Sequence, residues 1–117
     1  MTRMWGVDPR VLCRQHLLGE HVEMHMFLGT IRQGHSVAGY TSAGIVDPHR
    51  VPARHDALAA EMERRGMNHR SPMVLTASDE EAIAALPAAE IDAVANLAEL
   101  ARRCERCRER QAAGGTG

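Results

Sequence analysis

Apolar residues along the first third of the chain recur at mixed spacings of three and four, at Leu12, Leu17, Leu18, Phe27, Leu28 and Ile31. That spacing marks one buried face of an α-helix. Asp8-Pro9 supplies a start, with Asp as N-cap and Pro in the first turn, and Gly34 supplies a stop. A first helix is therefore expected from Pro9 to about Arg32. Gly19 inside it is unusual. A mid-helix glycine costs about 1 kcal/mol against alanine and is tolerated where another backbone or a ligand must come close. The periodicity lapses over residues 34–50, which are rich in Gly and Ser and read as a loop. It returns from Val51 to about Arg65, with Ala57, Leu58 and Met62 as the apolar face and Gly66 as the stop. Ser71-Pro72 marks a break, and Ser78 to Glu81 has capping-box spacing that predicts a short helical turn. From Pro87 to about Gln111 a third helix is expected, with Ile91, Val94, Leu97, Leu100, Cys104 and Cys107 along one side. The pattern predicts an all-α fold: a compact single domain of three main helices over residues 1–112, with a long Gly-rich loop between the first and second. Residues 113–117 are expected to be a disordered tail.

Composition agrees with packed helices. Of 117 residues only Trp5, Phe27 and Tyr40 are aromatic, so the core must be built from Leu, Val, Ala and Met. Met24, Met26, Met62 and Met67 read as core filler. No apolar run approaches the ~20 residues needed to span a bilayer, and no signal-peptide pattern opens the chain, so a cytoplasmic monomer is expected, nucleoid-associated where its partner is DNA. Three cysteines, an odd number, argue against a secreted disulfide scaffold. The net charge of −1 is not that of a typical nucleic-acid binder, but all fourteen cations are arginines, the side chain best suited to forked phosphate contacts.

The absence of lysine leaves the N-terminus as the single aliphatic amine. Thr2 is small enough for removal of Met1, which exposes a threonine α-amine. Such an amine titrates near ~7.7–8.0, against ~10.4 for lysine, and so is partly nucleophilic at neutral pH. Amines of this kind form Schiff bases with sugar carbons. Trp5, so near the terminus, is expected to anchor it. On the first helix His16, Glu20 and Glu23 fall within about 60° of one another, as a wet stripe or as a site. A carboxylate beside a nucleophilic amine can steady a cationic sugar and shuttle protons.

Other candidates have plainer alternatives. Cys104 and Cys107 form a CxxC that, with Cys13 and a histidine, has the residue types of a tetrahedral zinc clip between the first and third helices. Two small buried residues on the helix stripe are the simpler reading, so no metal is favoured. His21 and His25 flank Glu23, but HxExH is not the HExxH protease motif, and surface histidines are expected. Tyr40 in the loop has the ring to stack on a base, or to pack the loop onto the core.

The stretch Met1-Thr2-Arg3, then Gln15-His16-Leu17, Glu20 and Glu23, resembles the phage pyrimidine-dimer DNA glycosylase (endonuclease V) family. Arg54-His55-Asp56, Glu61-Met62 and Arg64-Arg65-Gly66-Met67-Asn68 extend the resemblance, which covers roughly residues 1–72. Trp5 to His25 resembles the cellular branch more closely than the phage enzyme. The resemblance implies a DNA glycosylase with abasic-site lyase activity on a damaged or modified pyrimidine, without cofactor. It makes Thr2 and Glu23 catalytic: the Thr2 amine attacks the deoxyribose C1′ and Glu23 stabilises the oxocarbenium-like sugar. It places Arg3, Gln15 and His16 near the DNA, where Glu20 and Tyr40 are added from their positions. Two departures weigh on substrate rather than chemistry. The phage enzyme has arginines where this chain has Val22 and Met26, and its aromatic, basic C-terminal tail is missing. The rival reading is a non-catalytic helical module, zinc-clipped or not, that kept the fold and binds DNA or a partner.

Overall fold

The N-terminal cap residues do not open the long first helix. In the computed structural model, which describes residues 2–114, Asp8 and Pro9 instead start a single 3-10 turn, Pro9–Val11, capped by the Asp8 carboxylate on the Arg10 N–H. The chain then straightens through Leu12 and Cys13, and helix α1 spans Arg14–Arg32 with Cys13 as its N-cap. Straightening drives Leu12 fully into the core. The carbonyls freed by the break find other donors: Arg65 reaches those of Pro9 and Leu12 at 3.1 and 2.7 Å, and Arg110 Nε reaches that of Arg10 at 2.8 Å. The predicted start at Pro9 is thus displaced to Arg14, whereas the stop at Gly34 holds, with the glycine at φ +76°.

Helix α3, Val51–Arg64, lies against α1, and Gly66 after it adopts φ +78°. The α1 residues Leu17, Met24, Phe27, Leu28 and Ile31 face Val51, Leu58 and Met62 of α3 in the hydrophobic core. Ala57, expected on this face, is exposed, and Ala59 takes the buried position. Two polar layers interrupt the interface, Glu20 with Arg54 and His21 with His55.

The Gly-rich loop is not featureless. It holds a short helix α2, Ala38–Ser42, and a 3-10 turn, Pro48–Arg50, that leads directly into α3. Helix α4, Ala77–Ala84, has its capping box two residues earlier than predicted, at Thr76 and Asp79 rather than Ser78 and Glu81. Asp79 also accepts a fork from Arg32 at 3.0 and 2.8 Å, which ties α4 to the end of α1 and holds its carboxyl far below the usual carboxylate range.

The third helix is divided. Residues 85–92 are not helical, α5 spans Ala93–Arg103 from an Asp92 cap, and α6 spans Glu105–Ala112. Between them Cys104 swings out to φ −132°, ψ 110°, and its sulfur caps α6 by accepting the Cys107 N–H. The expected apolar stripe breaks with it: Leu100 and Cys107 are buried, but Val94 is 82% exposed. Ala113 and Gly114 form a turn after α6, and the rest of the predicted tail, residues 115–117, lies outside the described residues. Among the described residues the fold is entirely helical, with six α-helices rather than three, and no helix is long and apolar enough to cross a membrane.

Candidate active site and two ligand clusters

The N-terminal segment is held from three sides. The Arg3 N–H donates to Glu23 Oε2 at 3.0 Å, and the Met4 N–H donates to the Ile45 carbonyl of the loop at 3.1 Å. From α5, Asn96 Nδ2 donates to the Trp5 carbonyl at 2.8 Å. The Arg3 guanidinium stacks 3.8 Å above the Trp5 ring while binding Asn96 Oδ1 and Glu99. Trp5 is buried, so the predicted anchor is real. Arg3 itself is spent on this internal clamp rather than presented outward.

These contacts fix Thr2 beside Glu23. Three covalent bonds separate the Thr2 and Arg3 nitrogens, so the two lie at most about 3.7 Å apart. The Glu23 carboxylate is therefore within reach of whatever reacts at the Thr2 nitrogen. Glu23 is half-buried, and burial raises its carboxyl above the ordinary value, against the Arg3 N–H, which lowers it. Gly19 sits one turn before Glu23, and a Cβ there would meet nothing within 4 Å. No neighbouring backbone explains the glycine; it leaves the surface beside Glu23 open. Val22 and Met26, at 52% and 58% exposed, continue that face as an apolar pair, so Met26 is not core filler.

The remaining predicted residues go elsewhere. Gln15 is exposed on the first turn of α1. Glu20 is buried, its two oxygens gripped by the Arg54 fork, which also donates to the Val7 carbonyl. Tyr40 is half-buried and sets its ring edge-on to Phe27 at 5.7 Å, packing the loop onto the core. Arg14, Arg50 and Arg106 are exposed and form no ion pair among the described residues.

His16 joins the cysteines. Its Nδ1 lies 3.2 Å from Cys13 Sγ and 3.5 Å from Cys107 Sγ, and Cys104 Sγ lies 3.9 Å from Cys13 Sγ. All four ligand atoms fall within 4.8 Å of one another. Burial pushes the Cys107 thiol up to about 12 and lowers His16, so its imidazole is neutral at pH 7. The His16 ring also meets the edge of Trp5 at 5.9 Å, which links this cluster to the N-terminal clamp.

A second cluster, missed in the sequence beyond His21 and His25, gathers His55 and His69 from either side of the turn after α3. His21 Nε2 lies 3.1 Å from His55 Nε2 and 2.9 Å from His69 Nε2. His55 Nδ1 lies 2.9 Å from Asp56 Oδ1, and its Nε2 also lies 3.0 Å from the Ser71 carbonyl. Burial and the neighbouring imidazoles lower His21 to about 4, so it is neutral at physiological pH. Three convergent ring nitrogens are a donor set for a transition ion, beside a cavity of about 410 Å³ lined by His21, His25, His69 and Arg70.

The spacing Cys13-x-x-His16, matched against Cys104-x-x-Cys107, was the available signal for the first cluster. For the second, no local spacing joins His21, His55 and His69; only the α1–α3 packing does. A sequence model described as pyrimidine dimer DNA glycosylase matches residues 2–75, more than half of the chain. No curated protein and no solved structure matches it. The match contains Thr2, Glu23, Gly19 and the α1–α3 pair that positions them, and the chain belongs to the pyrimidine dimer DNA glycosylase family.

Proposed function

We propose that this protein is a DNA glycosylase with associated abasic-site lyase activity, in which the Thr2 α-amine is the nucleophile and Glu23 the essential carboxylate. The observation that carries the reading is the 3.0 Å hydrogen bond from the Arg3 N–H to Glu23 Oε2, which keeps the residue after the nucleophile on the carboxylate. In this scheme the deprotonated amine attacks C1′ of the deoxyribose as the glycosidic C–N bond breaks, and the base leaves with a proton. Glu23 offsets the positive charge that develops on the sugar. Proton transfer to the ring oxygen opens the sugar to an iminium, and loss of a C2′ proton then expels the 3′ phosphate. A half-buried carboxylate with one backbone donor among the described residues suits both tasks, since it is partly desolvated and still reachable.

The apolar Val22–Met26 surface beside Glu23 supports a substrate base held by stacking and burial rather than by arginine. Phosphate contacts then fall to the exposed arginines, Arg14 among them at the start of α1.

Borohydride trapping on a duplex with one abasic site tests the chemistry without knowledge of the base. A covalent adduct mapped to Thr2 is the expected result. Protein shown by intact mass to lack Met1 that yields no adduct would instead leave a helical binding module.

A further inference from the structure

We propose that Cys13, His16, Cys104 and Cys107 bind a structural zinc ion that clips the start of α1 to the α5–α6 junction. Tetrahedral zinc with Zn–S near 2.3 Å and Zn–N near 2.0–2.1 Å sets its ligands about 3.8 Å apart for two sulfurs and about 3.6 Å for sulfur and nitrogen. The Cys13–Cys104 sulfurs are 3.9 Å apart, and His16 Nδ1 is 3.2 and 3.5 Å from the Cys13 and Cys107 sulfurs. These three distances fall within about 0.4 Å of the tetrahedral values, and all four donors lie within 4.8 Å of one another.

The backbone is arranged for thiolates as well. Cys107 Sγ accepts the Cys13 N–H at 3.2 Å, Cys104 Sγ accepts the Cys107 N–H at 3.4 Å, and Cys13 Sγ accepts the His16 N–H at 3.5 Å. Each ligand pair is a residue and its partner three positions on, with the first of the pair acting as the helix cap. The two unexpected breaks in the fold, at Leu12–Cys13 and at Cys104, are what bring these caps together. Continuous helices over 9–32 and 87–111 would not form those turns. A metal accounts for both interruptions at once, since each places a cysteine cap at the site.

The ion also explains how a short C-terminal helix pair organises the reactive end. Zinc on His16 fixes the imidazole against which Trp5 packs, and Trp5 carries the Arg3 guanidinium. The site is structural, closed by four protein ligands, and takes no part in bond breaking.

Metal analysis of the full chain purified without added metal should give about one zinc per chain bound at this site. Cobalt substitution should give the intense visible bands of a tetrahedral ion with sulfur-to-metal charge transfer. Cys107→Ser should lose both signals, His16→Ala should weaken binding at least tenfold, and His16→Cys should restore it with a spectrum shifted toward all-sulfur ligation. Far-UV circular dichroism of Cys107→Ser and His16→Ala checks that their loss of metal is not a failure to fold. Three titratable thiols with no thiolate–cobalt charge transfer in the reduced protein would overturn the site. So would zinc that survives Cys107→Ser and disappears in His55→Ala, which would assign the ion to the histidine cluster. Metal content is read without DNA, so the outcome is independent of the glycosylase chemistry.

Discussion

Glu20 and Glu23 leave the same helix one turn apart, yet Glu20 is sealed between α1 and α3 while Glu23 meets the N-terminal segment near the surface. The Glu20 side chain is fully buried, and both its oxygens are held by the Arg54 fork. Among the described residues Glu23 has one donor, the Arg3 N–H, and open space over Gly19. Neutralised and enclosed, Glu20 can only hold helices together. Half-desolvated and reachable, Glu23 is the carboxylate with a charge free to act on a bound sugar. On the proposed mechanism the chemistry resides where the described residues leave a charge incompletely satisfied, and stability resides where the pairing is complete.

The sharpest way to break this contrast is to neutralise each carboxylate in turn. Glu23→Gln keeps an acceptor for the Arg3 N–H but removes the charge, so single-turnover base release should fall by about 10²–10⁴-fold with DNA affinity nearly unchanged. A variant as active as the parent would transfer catalysis away from Glu23. For the buried pair the effect should appear in stability instead. Arg54→Ala leaves Glu20 charged and unpaired in the interface and should cost about 3–5 kcal/mol in urea unfolding. Replacing both partners with methionine should recover most of that loss, because the desolvated charges disappear together. An Arg54→Ala cost below ~1 kcal/mol would mean that the pair is hydrated rather than buried.

The same contrast explains what was legible in the sequence. The α1 and α3 faces were readable because Leu17, Phe27, Leu28, Leu58 and Met62 follow helical periodicity, and the stops at Gly34 and Gly66 because only glycine adopts their left-handed backbone easily. The proximity of Thr2 to Glu23 was reached through resemblance, not periodicity. The burial of Glu20 was not legible, because angular proximity to Glu23 on a helical wheel says nothing about Arg54, which arrives from another helix. The grouping of His16 with the cysteines was hidden for a related reason: its partners Cys104 and Cys107 are brought to it by two helix breaks at cysteine caps, and apolar periodicity runs straight through both. Asn96 and Glu99, which clamp Arg3, lie beyond the family match, in a region where the pattern announced only a helix.

Gly19→Ala separates stability from activity at the same face. The added methyl meets nothing within 4 Å, so the helix should gain about 1 kcal/mol, read as a higher thermal midpoint. Side chains on a helix lean toward its N-terminus, so the new methyl lies beneath the Glu23 carboxylate, where the sugar must approach. Trapping of an abasic duplex should slow severalfold in this more stable variant. Unchanged trapping would show that Gly19 does not clear the path of the substrate.

The smallest effect distinguishes the two glutamates by pH. Burial raises the Glu23 carboxyl above its ordinary 4.5 in the folded chain, so folding disfavours its charged form. The stabilising contribution of such a group is complete below the unfolded value and is lost as pH rises through the folded one. Glu23→Gln, which carries no charge at any pH, should therefore have a higher thermal midpoint than the parent at pH 7. That advantage should shrink as pH falls toward 4.5 and vanish below it, with metal content held the same in both proteins. A paired, favourably held carboxylate would behave in the opposite sense, with the parent more stable at pH 7 and its lead lost in acid. That opposite result at Glu23 would mean that the N-terminal segment neutralises the carboxylate as fully as Arg54 neutralises Glu20, and the incomplete satisfaction on which the catalytic assignment rests would be gone.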